Sequence, residues 1–164
     1  MAGISLVIAN NNSLEKIKNF EKRNLYLDLY SQYNFFKKNR QLRFTPPVQC
    51  FYALNQAVEE LVVEGIKNRY KRYSENWDQI LKNLTRLGFM PEHEVQKASR
   101  IITVFRLPEK IKFEKLHDEL YKYGITIYPS KYNSDTFRIA NIGNIKKEDI
   151  KFFIETLEKV IKNA

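Results

Sequence analysis

The chain has 164 residues, of which 43% are hydrophobic and 13% aromatic, enough apolar surface to pack a core and to exclude a disordered tail. Lysine and arginine total 28 against 19 acidic residues, a formal charge of +9 that points to acidic ligands. The excess is spread as Lys-Lys, Arg-Tyr-Lys-Arg and Ile-Lys-Lys rather than gathered in one tract, so it reads mainly as solvated helix faces, with a nucleic-acid surface as the weaker reading.

Met1-Ala2-Gly3 lacks the basic start of a secretory signal, and no apolar run reaches membrane-spanning length, so no membrane is expected. Residues 4–9 are apolar except for Ser5, which predicts a strand buried on both faces, the habit of a parallel sheet. Such a strand needs neighbours on both edges and nothing precedes it, so the chain reads as a piece of something longer. Asn11, Asn12 and Ser13 offer an N-cap to a helix carrying Leu14, Ile17 and Phe20. Residues 25–36 hold Tyr26, Tyr30, Tyr33, Phe35 and Phe36 around Asp28, a pattern that suits an interface or a cleft as well as it suits a core.

Arg43-Phe44-Thr45-Pro46-Pro47 is more specific. Two prolines hold Thr45 extended, and Pro47 can open the next helix. Thr45 is thereby presented beside exposed helix N–H groups, a geometry suited to a phosphate, although an ordinary helix entry is the simpler reading of this stretch alone. Residues 48–68 form one apolar stripe through Phe51, Leu54, Val58, Leu61 and Val62. A second helix runs on to Leu87 and closes at Gly88, with Lys67, Arg69, Lys71 and Arg72 as the densest basic patch. Cys50 is the only cysteine, so no internal disulfide forms; a cytoplasmic setting is favoured, and the residue is expected to be a small buried hydrophobe. His93 and His117 stand in different segments with no metal-ligand spacing.

Beyond Pro91 the pattern changes to strand (101–107), helix (113–123), strand (125–128), strand (136–142) and helix (147–162). That order implies an α+β domain, a small and mostly antiparallel sheet with helices on one face. In the last strand Phe137 and Ile139 point one way, Arg138 and Ala140 the other. A guanidinium in an apolar strand has to meet an anion. It is either an edge arginine paired with a surface carboxylate or a fork that grips the carboxylate or phosphonate of a small substrate at two points.

Taken together, residues 3–9, Leu27-Asp28-Leu29-Tyr30, Arg43-Phe44-Thr45-Pro46-Pro47, Ile127-Tyr128-Pro129 and Asp135-Thr136-Phe137-Arg138-Ile139 with Asn141-Ile142-Gly143 resemble the C-terminal half of class V, fold-type I pyridoxal-phosphate-dependent aminotransferases. The likeness is greatest to the 2-aminoethylphosphonate:pyruvate branch and covers nearly the whole chain. It implies residues 1–47 as a remnant of the large cofactor domain with its strand and interface segment, residues 48–88 as long connecting helices, and residues 89–164 as the small α+β domain. It further implies pyridoxal 5'-phosphate, a homodimer with active sites at the subunit interface, and a small amino donor with a 2-oxo acid as substrates. Arg138 would bind the substrate anion, and Thr45 would reach the cofactor phosphate of the neighbouring subunit. The family's Schiff-base lysine stands a few residues before the glycine matched by Gly3, so the chain is expected to lack it and to be inactive alone. Lys131 is a poor substitute, because nothing nearby in sequence would depress its pKa. Ala140 and Ser130 stand where the family usually has glycine. Alanine:glyoxylate and serine:glyoxylate enzymes share the scaffold, which leaves the donor open. The competing expectations are a basic α+β module that binds nucleic acid or a partner without enzyme activity, and a truncated chain that serves as a scaffold.

Overall fold

The computed structural model describes residues 3–130 and 135–162, which fall into two compact units, Met1–Val63 and Glu64–Ala164.

The first unit is helical. Its helices are α1 (Asn11–Ile17), α2 (Leu29–Asn39) and most of α3 (Val48–Glu64). The cap of α1 is Asn10, one residue ahead of the predicted run, with its side chain accepting from Asn12 N at 2.8 Å. Asp28 caps α2 by accepting from both the backbone N (2.8 Å) and the hydroxyl (2.6 Å) of Ser31. These bonds stabilise the ionised carboxylate and hold its pKa below the usual range. Helix α2 ends where Arg40 adopts a left-handed conformation, φ 57°. Leu14 is the buried hydrophobic residue of this unit. The strand expected over residues 4–9 does not form: the segment pairs with no strand among the described residues, and Leu6, Val7 and Ile8 are exposed. An isolated apolar stretch has no ladder to join, so its β-propensity goes unused. Cys50 is half-buried.

The second unit carries the core. Helix α4 (Ile66–Arg86) is separated from α3 by Gly65 at φ 80°, three residues before the predicted boundary. It closes on Gly88, φ 89°, as expected: Phe89 N donates to Leu84 O and Gly88 N to Thr85 O, the paired bonds of a Schellman cap. A four-stranded antiparallel sheet follows, made of β1 (Met90–Pro91), β2 (Ile102–Arg106), β3 (Tyr128–Pro129) and β4 (Thr136–Ala140) in the order β1-β2-β4-β3. A short 3-10 turn, Val95–Lys97, lies between β1 and β2. Strand β1 was not expected; it is two residues long, and its proline is tolerated because β1 lies at an edge. Of the strand predicted over 125–128 only Tyr128 enters the ladder, joined by Pro129.

Phe105 and Phe137 oppose each other in the central pair and share the inward face. With Phe89 they meet Ile80 and Leu84 of α4, Leu116 and Leu120 of α5 (Phe113–Tyr121), and Ile150, Ile154 and Leu157 of α6 (Lys147–Lys162). The apolar sets of α5, α6 and the C-terminal part of α4 are therefore buried as their periodicity predicts, whereas Ile66 and Tyr70, expected on the same stripe of α4, are exposed. On the opposite side of the central pair Val104 and Arg138 are half-buried, and Ile102 and Ala140 are exposed. No helix of the described residues is long and apolar enough to cross a membrane.

Candidate functional site

Strand β4 presents Arg138 through its alternation. Its neighbours Phe137 and Ile139 turn toward the helices, so the guanidinium is delivered to the other side of the strand. No carboxylate among the described residues forms a salt bridge with it, and its Nε is buried without a hydrogen-bond partner. Of the two readings open in the sequence, the arginine paired with a surface carboxylate is not the one found. A buried guanidinium donor left unpaired is costly, and an anion entering from solvent would satisfy it.

Space for that anion adjoins it. Arg138 lines an open cavity of about 420 Å³ whose walls are chiefly isoleucine, with Thr126, Tyr128 and Asp149 as the other polar members. Asp149 is already engaged, accepting from Lys146 N at 2.8 Å at the start of α6. Tyr128 and Val104 flank Arg138 across the sheet, opposite it in β3 and β2 respectively.

The turn after β4 is pinned to α4. Asn141 is buried and its Nδ2 donates to Tyr73 O (2.9 Å) and Arg100 O (3.0 Å). Tyr73 Oη accepts from Gly143 N, Asn76 Nδ2 donates to Ile145 O, and Arg72 Nη1 donates to Gly143 O at 2.8 Å. Arg72 is itself held by Glu64, which also binds Arg69, and the two guanidinium groups hold the Glu64 carboxyl at about 2. Lys71 pairs with Glu75. Of the four cations of the densest basic patch, Arg69 and Arg72 thus share the one carboxylate of Glu64, and Lys71 shares Glu75 with Lys147. This clamp escaped the sequence reading, because nothing in the spacing of Glu64, Arg72 and Asn141 announces contacts across some 70 positions.

Thr45 lies in the other unit. It is exposed, two residues before Pro47, whose carbonyl accepts from Cys50 N and Phe51 N in the first turn of α3. Helix α3 starts directly after Pro47, as an ordinary helix entry requires. Lys131 lies outside the described residues. Every lysine among the described residues is exposed.

Compared with known proteins, the chain is 42% identical over 98% of its length to a 2-aminoethylphosphonate–pyruvate transaminase of Lysinibacillus sphaericus, and 40% identical over 96% to one of Bacillus cereus. The chain is a sequence relative of these transaminases. It spans 45% and 44% of their lengths, so it corresponds to less than half of each. No protein-family model matches it. Among solved structures, pyridoxamine-pyruvate aminotransferase from Mesorhizobium loti superposes over 94% of the chain with a TM-score of 0.82 and 17% identity, covering 41% of that protein. Alanine–glyoxylate aminotransferase from Nostoc sp. superposes over 93% with a TM-score of 0.77 and 21% identity, covering 42%. At these identities the superpositions establish a shared fold, the fold expected of an aminotransferase-like α+β unit with its preceding helices.

Proposed function

We propose that the chain is the C-terminal portion of a pyridoxal-phosphate-dependent transaminase of the 2-aminoethylphosphonate–pyruvate type, in which Arg138 binds the anionic end of the substrates. One observation carries the reading: a half-buried arginine whose Nε is buried without a partner, on a strand that lines a cavity walled chiefly by isoleucine. The amino donor and the 2-oxo acid of such a reaction each bring an anionic group, and a planar fork receives two oxygens of either in one geometry. The isoleucine walls lower the polarity around the donors and so strengthen the contact.

Thr45 suits the cofactor phosphate. Its hydroxyl is exposed on a proline-stiffened turn at the start of α3, where first-turn N–H groups favour an anion. Pyridoxal phosphate, when bound, supplies the electron sink of the amino-group exchange. This chain's own residues orient the substrate and anchor the phosphate. A nucleophilic lysine has to be desolvated or set beside another cation, and the lysines described here are all exposed. The reading therefore assigns that lysine to the portion of the relatives that this chain does not span, and predicts no transamination by the chain alone. A homodimer with shared active sites and a cytoplasmic location belong to the same reading.

Co-production with the remaining half of a related transaminase tests it. Alanine should form from pyruvate and 2-aminoethylphosphonate, and Arg138→Ala should lower kcat/KM by about 100-fold, the scale of a lost charge-assisted pair. Full activity in Arg138→Ala, or turnover by the chain alone with the cofactor, would overturn it.

A further inference from the structure

Tyr128 stands directly opposite Arg138 in the β3–β4 ladder. Opposed residues of an antiparallel pair leave the same face of the sheet, with Cβ atoms about 4.5–5.5 Å apart. Both residues line the same cavity. Tyr128 is 62% exposed, and its hydroxyl has no hydrogen-bond partner among the described residues. On the other flank of Arg138 the opposed residue is Val104, which offers no donor. The cross-strand row therefore places one cation between one aliphatic side chain and one phenol.

We propose that Tyr128 determines specificity by donating its hydroxyl to the oxygen of a tetrahedral phosphonate that the Arg138 fork leaves unbound. The inference rests on Arg138 being the anion-binding residue. A guanidinium takes two oxygens roughly in its own plane. A carboxylate has only those two and is then satisfied. A phosphonate has a third, out of that plane, which needs a donor from the side. A phenol on the neighbouring strand supplies one at small entropic cost, since the ring has few rotatable bonds. The same row thus accepts either anion but favours the phosphonate.

The test is a titration of the 164-residue chain with methylphosphonate and with acetate, following the Arg138 Nε–Hε signal by NMR. Methylphosphonate should bind more tightly. Tyr128→Phe, which removes only an exposed hydroxyl and should leave the fold intact, should weaken methylphosphonate about tenfold and leave acetate within about twofold, the scale of one hydrogen bond to a charged group. Thr126→Val, at the other hydroxyl lining the cavity, should change neither. An equal loss for both anions, no loss in Tyr128→Phe, or the selective loss in Thr126→Val instead would overturn the assignment of Tyr128 while leaving Arg138 in place. If Arg138→Gln, followed through the backbone amide signals of β4, binds both anions as the parent chain does, or if neither anion gives a saturable shift at any soluble concentration, the reading of Arg138 fails and this inference with it.

Discussion

Glu64 shows how a single side chain couples α4 to the turn beyond the arginine strand. Its oxygens accept from Arg69 Nε at 2.6 Å and from Arg72 Nε at 2.7 Å, and Arg72 passes the constraint on to Gly143 O. The hydrogen bonds from Arg72 and then Arg69 lower the carboxyl from 4.5 to about 2 in the folded chain. Because the folded value lies below the unfolded one, the stabilisation is fully present above about pH 4.5 and is lost as pH falls from there through about 2. Urea midpoints measured from pH 6 to pH 2 should therefore fall more steeply in the parent chain than in Glu64→Gln; parallel curves would deny the coupling. Asn141 makes a sharper case at the same scale. Its buried amide serves two backbone carbonyls, so Asn141→Ala leaves both without that donor and opens a small void. The expected cost is about 2–4 kcal/mol in chemical denaturation, with an unchanged m-value. A loss under about 0.5 kcal/mol, the usual range of a surface substitution, would place the support of this turn elsewhere.

At the scale of elements, the end of α4 offers a prediction that separates backbone strain from crowding. A Cβ added at Gly88 would meet Pro108 Cγ at 3.7 Å, an ordinary contact, but the residue holds φ 89°. Gly88→Ala should thus destabilise through the left-handed backbone alone, by about 1–2 kcal/mol in urea unfolding. A loss above about 4 kcal/mol would mean that the helix end itself had been displaced. The sequence made this cap legible because a glycine directly follows a long 3.6-residue apolar repeat. It made α6, β2 and β4 legible for the same reason, each having enough residues to show a period. It misled over residues 4–9, because strand formation depends on a partner that a run of apolar residues does not encode. Strands β1 and β3, at two residues each, are too short to have a period at all. The site divides in the same way. Arg138 stood out as a charge in an apolar strand, whereas the opposition of Tyr128 to it depends on register, which no local pattern records.

Across the whole molecule, apolar burial is distributed unevenly. Among the described residues, Leu14 is the buried hydrophobic side chain of Met1–Val63, while Phe20, Leu25, Leu27, Val62 and Val63 are exposed there. Backbone ordering costs about 1–2 kcal/mol per residue, and a segment with so little buried apolar area has little to offset it. Glu64–Ala164 holds the aromatic and aliphatic cluster and the Glu64 clamp in full. A polypeptide of residues 64–164 should therefore unfold in one cooperative transition at close to the urea midpoint of the parent chain, whereas residues 1–63 should show none. The exposed apolar side chains of the first unit also predict association, consistent with the homodimer proposed above. Sedimentation equilibrium should find the 64–164 polypeptide monomeric and the parent chain in concentration-dependent self-association. A parent chain that stays monomeric at every concentration, or a 64–164 polypeptide that associates equally well, would move the interface off the first unit.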